Sequence, residues 1–375
     1  MNLSYWEQTS FFDKIDIAII GSGIVGLNAA IHLKEMYPKF SVAIFEKGII
    51  PSGASTRNAG FACFGSITEL TNDLETIGLD ALLKLVEKRW KGLQKLRQRI
   101  GDENLDYRSW GGYELFSDKK IYEKHAEQIT FFNNALAPII GNDAVFNVAS
   151  DQISDFGFHQ VSDLIFNSAE GQIDTGKMMQ SLLKIAKSLD ISIYNGISIQ
   201  NIHTENNGVT IQTTQNWTIK AKKVVVATNG FSQKLLPELA LKPARNQVLI
   251  TKPIPNLPIT GTFHYDSGYY YFRNINNRLL FGGGRNLAFE AETTADFGLT
   301  TTIQNHLIKL LETVILPNTP FEIDSWWSGI MGVGASKEPI IQNIDKNLTV
   351  AVRLGGMGVA IGSLVGEAAA KMVEF

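Results

Sequence analysis

A single cysteine, Cys63, stands among 375 residues. That excludes an internal disulfide framework and a zinc site built from several thiolates. An excess of one charge is also missing. The 34 Lys and Arg meet 37 Asp and Glu, a net charge of −3, whereas a general nucleic-acid binder carries a basic surplus. No apolar run approaches the roughly 20 residues that span a bilayer. The opening stretch, Met1 to Lys14, carries acids and has neither a basic start nor an apolar centre, so no signal peptide is expected. The histidines, His32, His125, His159, His203, His264 and His306, are scattered. Without motif-level partners they are expected to be structural or superficial, and no metal site is expected. There is no internal repeat and no low-complexity segment. The default that follows is a soluble, reduced, cytoplasmic protein.

With 44% hydrophobic and 19% charged residues, the chain can offset its ordering entropy with a large core. Its length suggests two domains or three. Lys14 to Ile20 reads as a buried strand, Gly21 to Gly26 as a glycine-rich turn, and Leu27 to Met36 as a helix closed by Pro38. Ser41 to Phe45 is a second strand ending at Glu46, completing a β-turn-α-β unit. Residues 80–100 read as a helix with Leu82, Val86, Trp90 and Leu93 on one face and a solvated run of Lys and Arg on the other. An amphipathic helix carries Met178, Leu182, Ile185 and Leu189, followed by a strand at Ile191–Tyr194. Asn207-Gly208 marks a hairpin, and Lys222 to Ala227 is a continuous apolar strand. Residues 245–290 read as an antiparallel sheet, with a helix over Ile303 to Val314 beyond it. A strand at Leu348 to Val352, a turn at Gly355 to Gly358 and a small-residue helix from Val359 to Val373 close the chain.

The chemistry begins at Gly21-Ser-Gly-Ile-Val-Gly26, a G-x-G-x-x-G between a strand and a helix. The first glycine permits the turn, the second lets a pyrophosphate approach the backbone, and the third lets helix and strand pack closely. Ile24 and Val25 open the helix, whose N-terminal N–H groups and partial positive charge suit phosphate. Glu46 lies twenty residues after the last glycine, at a strand end, where a carboxylate can accept ribose hydroxyls. Context makes this a dinucleotide site, with FAD or NAD as its ligand. Two further segments favour FAD: the small and hydroxyl residues of Pro51 to Gly60, and the turn at Gly355 to Gly358. An extended ligand touched at three separate places fits them better than a releasable nicotinamide cofactor.

Those residues resemble the D-amino-acid-oxidase-like FAD-dependent oxidoreductases, which include glycine oxidase, sarcosine oxidase and γ-glutamylputrescine oxidase. The resemblance runs over nearly the whole chain. Ser52 to Gly60 resembles the S-G-A-S-G-R-N-G-G stretch of the γ-glutamylputrescine oxidase branch. Val224 to Gly230 is similar to the family's second cofactor strand, and Pro243-Ala-Arg-Asn-Gln247 to its P-x-R-G-Q, with Asn246 for glycine. Trp327 to Ile341 resembles the late W-x-G-x-R-P block, and Gly355 to Ala360 the closing segment beside the flavin. The resemblance implies an α/β fold: a Rossmann-type FAD-binding domain and a second α+β substrate domain on a mainly antiparallel sheet. The FAD domain would take residues 1–80, 150–240 and 328–375, the substrate domain 81–149 and 241–327. It implies non-covalent FAD contacted by Gly21, Gly23, Ile24, Val25, Gly26, Glu46, Lys47, Ser55, Thr56, Arg57, Asn58, Ala59, Gly60, Ile199, Ala227, Thr228, Gly230, Gly355, Gly356, Met357, Gly358 and Val359.

The implied activity is oxidation of an amine or amino acid at the carbon next to nitrogen, by hydride transfer to flavin N5; the imine then hydrolyses. The electron acceptor would be O2 or another compound, and neither a nucleic-acid partner nor a membrane span is expected. The helix from Val359 should aim its N-terminus at the flavin. Arg57 either adds positive charge near the cofactor or holds its loop through an ion pair. Departures from the family pattern bear on the substrate. Met331 stands where amino-acid-oxidising relatives have a carboxylate-binding arginine. Leu280 aligns with the oxygen-activating lysine of the sarcosine oxidase branch, and the late block has no cysteine to attach FAD. Arg273 is the first choice to hold a substrate acid group, ahead of Arg285, Arg353 and Lys337. Tyr269 and Tyr271 share a strand face that is either a pocket wall or aromatic packing, and Met357 joins Met331 beside the site. Cys63 could approach the flavin, but a buried inert thiol is the stronger expectation. Three alternatives remain at this level: an FAD dehydrogenase using a non-oxygen acceptor, an FAD-dependent enzyme of tRNA-base maturation, and a flavoprotein without turnover.

Overall fold

A computed structural model describes residues 3–375; the first two residues of the acid-bearing N-terminal stretch lie outside them. Two eight-stranded sheets carry the molecule. The centre of the first is parallel, running Leu348–Val352, Thr218–Val226, Ile15–Ile20, Val42–Glu46, Ser192–Asn195. Ile340–Asp345 is added antiparallel on one edge, and Gly208–Thr213 pairs antiparallel with Thr218–Val226 and carries its hairpin partner Ile199–Glu205 on its other side. Parallel central strands are covered on both faces, which explains their unbroken apolar runs such as Val224-Val225-Val226, all fully buried.

Helix Ile24–Met36 covers one face together with Gly358–Lys371, the small-residue helix at the end of the chain. Small residues are needed there because backbones nearly touch: a Cβ on Gly366 would sit 2.7 Å from Val25 O, and one on Gly92 would overlap Ala360 O. Gly92 belongs to the long helix Leu79–Ile100, whose Leu93, Leu96 and Ile100 join this same core while Leu82 and Val86 pack elsewhere. One helix therefore bridges the two halves.

The second sheet runs Ile323–Val333, Lys242–Thr251, Arg278–Gly283, Tyr270–Ile275, Thr262–Tyr265, Gly112–Phe116, Asp163–Asn167, Phe146–Val148. All its pairs are antiparallel except Thr262–Tyr265 with Gly112–Phe116. Asp163–Asn167, inside the segment assigned by sequence to the first domain, pairs here, and the chain returns to the first unit near Gly171. Phe263, Phe272 and Phe281 fill its core against helix Thr301–Leu310. A short helix, Tyr5–Phe11, has no counterpart in the sequence reading; Ser4 and Glu7 close it with a reciprocal capping box.

Candidate active site

A cavity of about 980 Å³ lies between the two sheets, at the upper end of small-molecule sites. At one end it meets the carboxyl edge of the parallel strands, where α/β sheets bind ligands. Gly21 there has φ +102°, and a Cβ on it would sit 2.9 Å from Ala227 O. Gly23 faces the cavity and caps helix Ile24–Met36 without a side-chain bond. Ser55 Oγ instead accepts from Ile24 N at 2.9 Å. Gly26 does not line the cavity. A Cβ on it would overlap Gly21 O, so its role is close packing and not ligand contact.

Glu46 is buried on the cavity wall. Its Oε2 accepts from Ser22 N at 3.1 Å and Ser22 Oγ at 2.8 Å, and its Oε1 accepts from Gly48 N at 3.0 Å. A carboxylate offers about four acceptor positions, so the group is oriented by three donors and still has capacity for a ribose hydroxyl. Beside it Lys47 stacks its ammonium on Phe231, 3.2 Å from the ring centroid. Burial lowers its pKa, opposed by Glu46.

Ser55, Arg57, Asn58 and Ala59 also line the cavity. Arg57 makes no ion pair among the described residues, contrary to one of the two readings of it. It donates from Nε to Ser52 O and from Nη1 to Ser328 O, both at 3.0 Å, and stacks on Phe297. Thr56 turns away, donating to Pro51 O at 2.6 Å. Gly60 lies against Arg273, and Gly230 is pressed on Met331 O; neither lines the cavity, because each is a close-packing point. Ile199, Ala227 and Thr228 do line it, as do Gly355, Gly356, Met357, Gly358 and Val359. Asn229, which the motif reading passed over, ties these segments together: its Oδ1 accepts from Arg353 N at 3.1 Å and Leu354 N at 3.4 Å. Helix Gly358–Lys371 starts at the cavity with no side-chain cap, leaving its first N–H groups free for a ligand.

At the other end the walls come from the second sheet. Tyr269 and Tyr271 both line the cavity, while Tyr270 points into the core of the sheet. Burial pushes the Tyr271 phenol up to about 12, against a side-chain hydrogen bond from Asn246. Met331 lines it too, with Sδ 3.9 Å from Asn246 Nδ2. Arg273 shares the strand face of Tyr271, yet lies under the Arg57 to Gly60 loop, 2% exposed and outside the cavity lining. Its Nε has no hydrogen-bond partner, and burial lowers its pKa to about 10. The choice of Arg273 for an acid group is therefore corrected: a loop covers it. Arg353 is spent on Glu338 O and Ala240 O. Lys337 lines the cavity but pairs with Glu69 at 2.8 Å and Asp73 at 2.7 Å.

Of the four cations offered for an acid group, Arg285 is the one left over. It lines the cavity, its Nε lacks a hydrogen-bond partner, and it forms no salt bridge among the described residues. Gly283 at φ +127° and Gly284 at φ +78° turn the chain at the strand end and direct it inward. Gly282-Gly283-Gly284-Arg285 was the available signal. Leu280 is buried against Ala59 and Val248, outside the lining.

Sequence reading also missed His264. It lines the cavity and its Nε2 is 2.7 Å from Oε1 of Glu170, which also accepts from Thr262 Oγ1 at 2.8 Å. Cys63 is nearby and buried, and burial raises its thiol well above the ordinary value. Cys63, Glu170 and His264 have ligand-type atoms within 4.8 Å of one another. Two donors on one zinc ion stand about 3.4 Å apart, from bonds of about 2.1 Å; the His264–Glu170 separation is that of a hydrogen bond.

The chain belongs to the FAD-dependent oxidoreductase (DAO) family, whose model matches residues 16–372, and it is an FAD-dependent enzyme. It is 26% identical to gamma-glutamylputrescine oxidoreductase of Escherichia coli over 96% of this chain and 83% of that protein. In fold it is similar to L-proline dehydrogenase from P. horikoshii, with a TM-score of 0.77 at 20% identity, covering 97% of this chain and 94% of that one. Glycine oxidase from Geobacillus kaustophilus gives a TM-score of 0.75 at 20% identity, covering 96% and 94%.

Proposed function

We propose that this enzyme oxidises the C–N bond of an amine that carries an acid group, either an amino acid or an acid-tailed amine, with FAD held non-covalently along the cavity. The observation that carries this reading is Arg285, a cavity-lining guanidinium whose Nε has no hydrogen-bond partner and which forms no salt bridge among the described residues. Burial disfavours its charge, so a carboxylate arriving there gains a charge-assisted, bidentate contact. Relatives named for glycine oxidation, L-proline dehydrogenation and gamma-glutamylputrescine oxidation agree with an amine beside an amide or acid. When bound, FAD supplies the two-electron acceptor for the hydride leaving the carbon next to nitrogen. The chain's own residues bind and orient. Gly21, Gly23 and the N-terminal turn of helix Ile24–Met36 would hold the diphosphate, Glu46 the ribose and the N-terminus of helix Gly358–Lys371 the flavin, while Tyr271, held protonated, closes the substrate end with Tyr269 and Phe289.

The test is anaerobic bleaching of the flavin by a panel of amines and amino acids, each beside its decarboxylated or amidated analogue. Acid-bearing members should bleach it and their neutral analogues should be at least tenfold poorer; bleaching by neutral amines alone would overturn the reading. Leucine at 280, which aligns with the oxygen-activating lysine of the sarcosine oxidase branch and offers no ammonium, favours a slow reaction with oxygen and hence an acceptor other than O2. Peroxide released at the full turnover rate would contradict that part.

A further inference from the structure

Among the ionisable groups around the substrate end, most have a fixed state. Glu69 is tied to Arg89 and Lys337, which hold its carboxyl below the usual range despite burial. Cys63 stays a thiol and Tyr271 a phenol. Lys337 is ion-paired with Glu69 and Asp73. His264 differs. It sits on strand Thr262–Tyr265 opposite Tyr271, and the ring of Phe61 meets both edge-on at 5.2 and 5.7 Å. These three rings make one wall of the cavity.

Behind the ring, Glu170 is 1% exposed and fixed by Thr262 Oγ1. An ionised carboxylate only accepts, so the hydrogen bond to Glu170 keeps a proton on Nε2 in either state of the ring. Nδ1 is then a proton acceptor whenever the imidazole is neutral. A histidine oriented by a buried carboxylate is the usual build of a general base.

We propose that His264, positioned by Glu170, takes the proton from the substrate's ammonium nitrogen and so prepares the neutral amine that oxidation requires. The inference rests on the amine reading above. One N–H bond of the ammonium breaks, one forms at His264 Nδ1, and the positive charge passes from substrate to imidazole; no electrons are exchanged. His264 is the catalytic residue and Glu170 its positioning residue.

The surroundings fit this task. Burial by itself would lower the His264 pKa, but Glu170, by charge and hydrogen bond, and then Glu114 and Glu69 raise it to about 9. Glu114 faces His264 from the paired parallel strand, and burial raises its own carboxyl pKa. The remaining ionisable neighbours are Tyr271 across the other strand pair and Cys63. A base in this range is matched to an alkylammonium, so proton transfer is close to level in energy. Below about 9 the dyad already holds a proton and cannot accept another, so activity should rise with pH and level off above it.

The experiment uses the FAD-loaded enzyme and two substrates, found by flavin bleaching, whose free amine pKa values differ by at least one unit. The wild type should give a kcat/KM limb rising about tenfold per pH unit and bending near 9 for both. Glu170→Gln should move the bend towards the ordinary histidine value of 6.5. His264→Gln should lose the bend and about 10²–10³ in kcat/KM, with FAD content unchanged. A bend that follows each substrate's own pKa, or one that stays in His264→Gln, overturns the proposal. So does a His264 ring resonance, in NMR of histidine-labelled wild-type holoenzyme, that titrates near 6.5; this readout needs no variant to fold. Failure of every amine to bleach the flavin sinks the amine reading itself, whereas bleaching with an unaltered His264→Gln profile sinks only the dyad.

Discussion

The two ends of the cavity are made of different material: backbone and glycine at the diphosphate end, side chains of the second sheet at the substrate end. At the first, what matters is where a side chain cannot be. Gly21, Gly23 and Gly26 stand within a few residues of one another, and each leaves room for a carbonyl or a ligand. At the second, what matters is which distant side chains meet. Glu170 reaches His264 across 94 residues of chain, and Arg273 is hidden by a loop more than two hundred residues earlier. Steric requirements of the backbone are written locally; pairings between strands are not.

That contrast accounts for what sequence could tell. The β-turn-α-β unit, Glu46 and the helix at Gly358–Lys371 follow from periodicity, spacing and small residues, all local properties. Tyr269 and Tyr271 come from the two-residue repeat of a strand, and so does the error at Arg273: parity places it on the right face but says nothing of what lies over it. Arg57 illustrates the same limit, since its partners are carbonyls of Ser52 and Ser328 and not an acid. His264 carried no local mark at all.

The comparison can be broken most severely at Gly26. Gly26→Val places a side chain into Gly21 O, where no flexible group can give way, so it should cost more than about 3 kcal/mol, the scale of severe core overpacking. Thermal denaturation of the apoprotein checks this; a Tm within a few degrees of wild type would show that the turn adapts. Gly23→Val is the informative contrast. Its Cβ meets only the Ser55 side chain, 3.0 Å from Oγ, so the fold should survive while the side chain fills the space of the diphosphate. Folded, colourless protein that takes up no FAD is expected.

At the side-chain end, Arg285→Gln should leave the bound flavin spectrum unchanged and raise KM for an acid-bearing substrate. Loss of a desolvated charge pair is on the order of 2–5 kcal/mol, at least about thirtyfold. Steady-state kinetics with acid and neutral substrates reads it, and an equal effect on both would remove the carboxylate role. Glu46→Ala belongs to the first end and should be milder. It removes the acceptor of Ser22 and Gly48 as well as a ribose contact, weakening FAD binding by about 1.5–3 kcal/mol, the scale for hydrogen bonds to a charged group. Titration of apoprotein with FAD measures it, and unchanged affinity would free Glu46 from any ligand contact.

Tyr271→Phe should have the smallest effect, and it sharpens the contrast because it separates shape from polarity in the substrate wall. The ring would remain, still edge-on to Phe61 and still opposite His264, while the hydroxyl and its bond to Asn246 are lost. If that wall works by shape alone, kcat/KM should hold and stability should fall by about 1 kcal/mol, the net worth of one neutral hydrogen bond. If the phenol instead donates to the substrate, kcat/KM should fall about tenfold for acid-bearing substrates with the Tm nearly unmoved. The phenol stays protonated to about pH 12, so either result should be independent of pH between 6 and 10. Any pH-dependent loss in that window would mean that removing the hydroxyl disturbs His264 across the strand pair, and would identify the ring wall as one coupled unit.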